Sequence, residues 1–86
     1  MLCVKSEYSK PTPILEMYES FNGWYWFVTE VDKEDPDYCY GYVVGFENEW
    51  GSFLRSEIKS LGNRAWSVPK ENWSSNSHVI NIGSDE

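Results

Sequence analysis

The chain has 86 residues, with 14 Asp or Glu residues against seven Lys or Arg residues and a formal net charge of −7. This length fits one domain, and a content of 41% hydrophobic and 17% aromatic residues excludes a disordered acidic tail. The excess of acid argues against direct binding to a phosphate backbone, which carries the same sign of charge.

We expect residues 1–13 to form a loosely ordered arm, residues 14–82 a single globular domain, and residues 83–86 a frayed tail. Two prolines interrupt the arm, in which residues 2–4 alone have strand-like character. The chain shows no basic segment followed by an apolar run and no long apolar window. It therefore predicts neither a signal peptide nor a membrane span.

The clearest local pattern is a hairpin. Residues 14–21 and 24–31 have strand-like composition and flank an Asn-Gly pair at positions 22–23. This pair is typical of a type I′ turn between two strands. The turn would place Tyr18 opposite Phe27.

A helix over residues 13–21, capped by Thr12 and with Pro13 in its first turn, is the alternative interpretation. We favour the hairpin, because the run Trp-Tyr-Trp-Phe-Val-Thr at positions 24–29 has a very strong β-propensity and needs a neighbouring strand.

An acidic turn at residues 32–37 precedes a predicted third strand at residues 38–46. Large and small side chains alternate along this strand, so they lie on opposite faces. The large ones are Tyr38, Tyr40, Tyr42, Val44 and Phe46, and the small ones are Cys39, Gly41, Val43 and Gly45. Another element must therefore pack closely against the small face.

The second half of the chain predicts further strands and one short helix. Residues 50–54 and 65–68 are strand-like, and between them Ser56 is expected to cap a helix that ends at Gly62. Residues 78–82 add an edge strand. The predicted fold is α+β, a small antiparallel β-meander or half-barrel of about five strands with one short helix. One helix cannot cover two aromatic faces, so the sheet either curls or offers a face to another chain.

Negative charge is concentrated between residues 30 and 49. Seven carboxylates and one lysine give this stretch a net charge of −6. A second short turn is predicted at residues 47–49. The third strand would separate it from the acidic turn at residues 32–37 by up to roughly 30 Å, well beyond the Debye length of about 8 Å. Such a field attracts basic protein surfaces. The candidate partner-binding residues are Glu30, Asp32, Glu34, Asp35, Asp37, Glu47 and Glu49, with the tyrosines Tyr40 and Tyr42.

No pattern of catalytic, cofactor-binding or metal-binding residues stands out. The turn at residues 32–37 lacks the glycine and the glutamate that an EF-hand would need at positions 37 and 43. His78 is the only histidine, so neither a zinc site nor a nucleophile with its base is indicated. We expect no catalytic residue, no cofactor and no metal. The two cysteines, Cys3 and Cys39, are interpreted as reduced thiols of a cytoplasmic protein.

Aromatic rows on a sheet can stack the bases of single-stranded nucleic acid, but such sites also need a positively charged groove. An acidic chain with seven basic residues does not readily build one. We therefore expect these rings to form the core or a protein interface, and we expect no direct contact with nucleic acid.

A strand-turn-strand-helix pattern runs through the middle half of the chain. It consists of Trp26-Phe27-Val28-Thr29-Glu30-Val31-Asp32, Glu34-Asp35-Pro36-Asp37, Gly41-Tyr42-Val43, Glu49-Trp50-Gly51 and Ser56-Glu57-Ile58. This pattern resembles a family of small uncharacterised proteins carried by plasmids, integrated elements and phages. Residues 66–73 have no clear counterpart there. The resemblance implies a mobile-element origin and supplies no active site.

The leading hypothesis is a non-enzymatic acidic binding protein of a phage or mobile element that docks on a basic, nucleic-acid-handling host protein. Its concrete form is an inhibitor of a CRISPR or restriction nuclease whose carboxylates imitate spaced phosphates. The alternative is a self-associating accessory or assembly module, a homodimer that uses an aromatic sheet face. A small enzyme ranks third.

Overall fold

A five-stranded antiparallel sheet organises the chain. The computed structural model describes residues 1–6 and 9–83. In this sheet the strands have the order β6-β5-β4-β3-β7. They are β3 (Glu16–Ser20), β4 (Tyr25–Val31), β5 (Tyr38–Val44), β6 (Asn48–Leu54) and β7 (Ala65–Ser67). The predicted α+β class, with a sheet of five strands and one short helix, is confirmed.

A second, three-stranded antiparallel sheet covers one face of the first. It consists of β1 (Leu2–Val4), β2 (Thr12–Pro13) and β8 (Val79–Asn81), in the order β2-β1-β8. Its side chains Val4 and Val79 are buried in a cluster with Phe27 of the large sheet and Trp73 of a 3-10 helix, Lys70–Ser75. This side of the fold therefore has a packed core.

The segment expected to form a loose arm thus supplies β1 and β2. Its pairing was hidden from sequence reasoning because the partner of Leu2 in β8 is Asn81, near the other end of the chain. Hydrogen bonds between such distant segments leave no local pattern. Residues 7–8 of the expected arm and residues 84–86 of the expected tail lie outside the described residues.

Helix α1 (Arg55–Lys59) covers part of the opposite face. Its buried side chain Ile58 packs with Val28, Cys39 and Phe53, so the small face of β5 receives the close neighbour that its composition predicts. The helix has five residues and is followed by a 3-10 helix, Gly62–Arg64. This cover is shorter than the strands beneath it.

The predicted hairpin is confirmed as β3 and β4, and the alternative helix over residues 13–21 is wrong. The predicted turn type and register are also wrong. The loop has three residues, 21–23, closed by the Ser20 N–H, which donates to the Trp24 carbonyl at 2.9 Å. Gly23 has a φ of 87° and Asn22 does not have a positive φ, whereas a type I′ turn needs positive values at both central residues.

The longer loop shifts the pairing by one residue, so that Tyr18 lies opposite Trp26. Because side chains alternate along a strand, this shift decides which face each residue of β3 shares with β4.

Two glycines lie side by side on β5 and β6, and only one of them is sterically required. Gly41 is paired with Val28 at a bulge in β4, and with Gly51 on β6. A Cβ atom at position 41 would lie 1.8 Å from the carbonyl oxygen of Phe27, whereas one at position 51 would meet nothing within 4 Å. The strand-to-strand contact at the bulge therefore excludes every side chain at position 41.

We predict that Gly41→Ala lowers the free energy of unfolding by at least about 2 kcal/mol, because backbone atoms of β4 must move to accept the methyl group. Gly51→Ala is the matched control and should change it by less than about 0.5 kcal/mol. Urea unfolding followed by tryptophan fluorescence measures both. Equal stability of the two variants would contradict the close approach.

Candidate functional site

The acidic turn between β4 and β5 is held by its own carboxylates. Asp32 Oδ1 accepts hydrogen bonds from the backbone N–H groups of Glu34 at 2.8 Å and of Asp35 at 3.3 Å. The Tyr38 N–H donates to the Asp35 carbonyl at 2.9 Å. These bonds define the shape of the turn and leave the side chains of residues 32–36 exposed at this end of the sheet. Such turns are typical of Asp at a strand end.

Asp37 makes a structural contact that the sequence analysis did not predict. Its carboxylate accepts a hydrogen bond from the Ser56 N–H at 2.9 Å and another from the Ser56 hydroxyl at 2.6 Å. Asp37 therefore satisfies an N–H group in the first turn of α1, and Ser56 is not the cap. Sequence reasoning missed this contact because the two residues are 19 positions apart. The half-buried Asp37 carboxylate is a structural group rather than a free one.

The second acidic turn lies at the opposite end of β5. Residues 45–47 close it through the Gly45 N–H, which donates to the Glu47 carbonyl at 3.3 Å. Glu47 and Glu49 are exposed. Between the two turns lie the seven residues of β5, which at about 3.3 Å per residue span roughly 23 Å. The turns are therefore separated by more than a Debye length, about 8 Å at physiological salt.

Phe46 is a residue whose position the sequence did not reveal. The alternation along residues 38–46 placed it on a strand with the large tyrosines, but β5 ends at Val44. Phe46 lies in the turn itself and is 95% exposed. The predicted end of the third strand at residue 46 is therefore wrong, because the chain turns at residues 45–47.

The two candidate tyrosines differ. Tyr40 is 39% exposed, lies opposite the exposed Glu30 of β4, and stacks on Trp50 with ring centroids 6.1 Å apart. Tyr42 is 5% exposed and packs between Trp50 and His78. Tyr42 belongs to the buried cluster beneath the three-stranded sheet and offers little surface to a partner, whereas Tyr40 remains accessible.

Within residues 1–6 and 9–83, no Lys or Arg side chain lies within ion-pair distance of the candidate carboxylates. Lys33 lies in the turn itself but is exposed and forms no such ion pair. Arg55, which adjoins the turn, makes its contacts with other groups. Its guanidinium makes two hydrogen bonds with Glu16, at 2.9 and 2.7 Å, and its Nη1 donates to the Pro36 carbonyl at 2.6 Å. Arg55 therefore supports the acidic turn through the backbone while its charge is matched by Glu16.

The same network perturbs two ionisable groups. Burial disfavours the charged form of Arg55, but the hydrogen bonds and charge of Glu16 outweigh it and raise the pKa of Arg55. Burial, and then the hydrogen bond that the Tyr18 hydroxyl donates to Glu16 at 2.8 Å, raise the pKa of Tyr18 to about 12. Neither group changes its charge near neutral pH.

Among the described residues, no group of three or more His, Cys, Asp and Glu side chains is arranged to hold a metal ion. Cys3 and Cys39 are free and buried, and burial raises the pKa of the Cys39 thiol. A buried thiol with a raised pKa is a poor nucleophile. No helix in the described ranges is long and apolar enough to cross a membrane.

Comparisons of the chain with protein-family models, with curated proteins and with solved structures found no match. The resemblance to small proteins carried by plasmids, integrated elements and phages therefore stays a prediction.

Removing the Asp37 carboxylate should weaken the contact between β5 and α1. We predict that Asp37→Ala lowers the free energy of unfolding by about 1 to 2 kcal/mol, since two hydrogen bonds at the start of α1 are lost. Glu34→Ala, at an exposed position of the same turn, should change it by less than about 0.5 kcal/mol. Urea unfolding compares the two. Identical midpoints would show that Asp37 does not cap the helix.

The Tyr18 hydroxyl should make stability sensitive to alkaline pH. Its pKa is raised in the folded state from 10.0 to about 12, so the unfolded chain loses this proton first and the free energy of unfolding falls as pH rises through that interval. We predict that Tyr18→Phe makes this fall smaller. Urea unfolding across the interval measures it, and an unchanged fall in Tyr18→Phe would contradict the assignment.

Proposed function

We propose that this chain is a non-enzymatic acidic binding protein of a phage or mobile element that docks on a basic, nucleic-acid-handling host protein in the cytoplasm. Its concrete form is an inhibitor of a CRISPR or restriction nuclease. The observation that carries the proposal is that exposed carboxylates, unpaired with any Lys or Arg of the described residues, are held at two ends of one strand.

This crowding of carboxylates lowers the free energy of unfolding, so folding by itself gives no reason for it. Like charges that are crowded into residues 30–49 repel one another in the folded state, and no Lys or Arg of residues 1–6 and 9–83 lies within ion-pair distance of them. Backbone hydrogen bonds to Asp32 nevertheless hold the first turn in one shape. A defined array of exposed negative charge speeds the encounter with a positively charged surface and orients it.

The spacing favours a partner that handles nucleic acid. Each of the two turns acts as a separate negative pole, because about 23 Å of strand lies between them. Proteins that bind nucleic acid carry Lys and Arg residues along a groove, where they replace the counterions of successive phosphates. Two carboxylate clusters on a rigid sheet present charge to such a groove at two points.

The structure narrows the set of candidate residues. Asp37 is used by α1 and Tyr42 lies in the core, so neither belongs to the proposed surface. The surface retains Glu30, Asp32, Glu34, Asp35, Glu47 and Glu49, with Tyr40 beside Glu30.

The test combines capture with salt dependence. The wild type and a variant with four Glu→Gln changes at positions 30, 34, 47 and 49 are used to capture proteins from host lysate, and the captured partner is then titrated at several salt concentrations. We expect the wild type to retain a basic nucleic-acid-binding protein whose affinity falls steeply with salt. The variant should bind at least about tenfold more weakly at low salt.

Glu71→Gln removes one exposed carboxylate outside the cluster and serves as the control. It should affect affinity less than Glu34→Gln. Recovery of no basic partner, or binding that does not respond to salt, would overturn the proposal.

A further inference from the structure

Helix α1 leaves one end of its sheet face uncovered, and aromatic side chains occupy that end. The Trp24 ring lies 6.0 Å from Trp26 and meets Phe46 edge-on at 5.4 Å, measured between ring centroids. Phe21 and Leu61 join Trp24 and Trp26 in lining a groove of about 410 Å³. We call these five residues, Phe21, Trp24, Trp26, Phe46 and Leu61, the aromatic tip.

The topology explains why the tip forms. In an antiparallel meander, the β3–β4 loop and the β5–β6 loop emerge at the same end of the sheet, so the loop residues Phe21 and Phe46 point out of one surface. They are 69% and 95% exposed. The acidic turn at residues 32–37 lies at the other end, together with α1.

Folding does not require a phenylalanine at position 46, because the side chain buries almost no surface. Its position is nevertheless defined. A Cβ atom at Gly45 would lie 2.5 Å from the Trp24 ring, so the ring lies directly over the turn that presents Phe46. A large apolar side chain held in place on a rigid support is the kind of anchor that dominates protein interfaces.

The charges around the tip identify the partner chemistry. Glu47 adjoins Phe46 in sequence, and Glu49 follows on β6, both exposed and with no Lys or Arg of the described residues in ion-pair distance. Arg64 lines the groove beside Leu61, where its Nε donates to the Leu61 carbonyl at 3.1 Å, so two carboxylates and one guanidinium leave the tip with a net negative charge. A second copy of the chain would bring a net charge of −7 against −7, which opposes association. A basic surface with an apolar centre complements both the rings and the carboxylates.

We propose that the aromatic tip is the anchoring contact for the basic partner, which receives Phe46 in an apolar pocket edged by Lys or Arg. This inference rests on the proposed function and deepens it. The carboxylates set the association rate and the salt dependence, whereas the tip sets the dissociation rate. If the protein bound its partner only through carboxylates that imitate phosphates, the apolar tip would have no role in binding.

The test uses two synthetic peptides of equal length and charge, one an amphipathic Leu/Lys helix and the other with every Leu replaced by Ser. Calorimetry measures their affinities at low and high salt. We expect the wild type to bind the Leu/Lys peptide at least about tenfold more tightly than the Ser/Lys peptide. Phe46→Ser should remove most of that preference, while Glu47→Gln with Glu49→Gln should weaken both peptides by a similar factor.

Leu15→Ser is the matched control, since Leu15 is 54% exposed but lies at the other end of β3. Leu15→Ser should still bind the Leu/Lys peptide more tightly than the Ser/Lys peptide, as the wild type does. Equal, salt-dependent binding of the two peptides to the wild type would overturn the anchor and leave the acidic function standing. If the wild type bound neither peptide, this result would count against both the anchor and the proposed acidic function. Sedimentation tests the rival occupant, a second copy of the chain. If the wild type were a dimer and Phe46→Ser a monomer, the second copy would replace the basic partner and the inference would be overturned.

Discussion

The fold depends on covering a sheet that carries large apolar side chains on both faces. Phe27 and Tyr42 face one way, and Val28 and Cys39 face the other, because side chains alternate along β4 and β5. A single sheet in water cannot leave both surfaces open. The chain solves this with two unequal covers, a three-stranded sheet on one face and a five-residue helix on the other.

The two covers differ in size, and this difference decides which parts of the large sheet remain exposed. The three-stranded sheet draws on both ends of the chain and buries Val4 completely, so its side of the molecule is filled. Helix α1 reaches only the part of its face near the acidic turn, where Asp37 binds Ser56. Beyond the helix, Trp24 and Trp26 remain half-buried and Phe46 protrudes. The uncovered region and the structural use of Asp37 thus follow from the same short helix.

Charge and apolar surface are arranged along one direction of the molecule. One end of β5 has an acidic turn supported by Arg55 through the Pro36 carbonyl, and the other end has two glutamates beside an exposed ring. Long-range charge acts on approach, and apolar contact acts after water is expelled. This combination would let the proposed binding protein meet a basic partner quickly and leave it slowly.

The sequence by itself determined the class of fold, the strands around positions 16–31 and 38–54, the short helix, and the concentration of charge, because each of these depends on local composition and alternation. Tertiary structure alone decided the remaining features. It paired Leu2 with Asn81, shifted the register of the hairpin by one residue, buried Tyr42 and brought the Asp37 carboxylate to the first turn of α1. Each of these depends on contacts between residues far apart in the chain or on the geometry of a single loop. Local patterns report which residues avoid water, but they do not report which distant surface covers them.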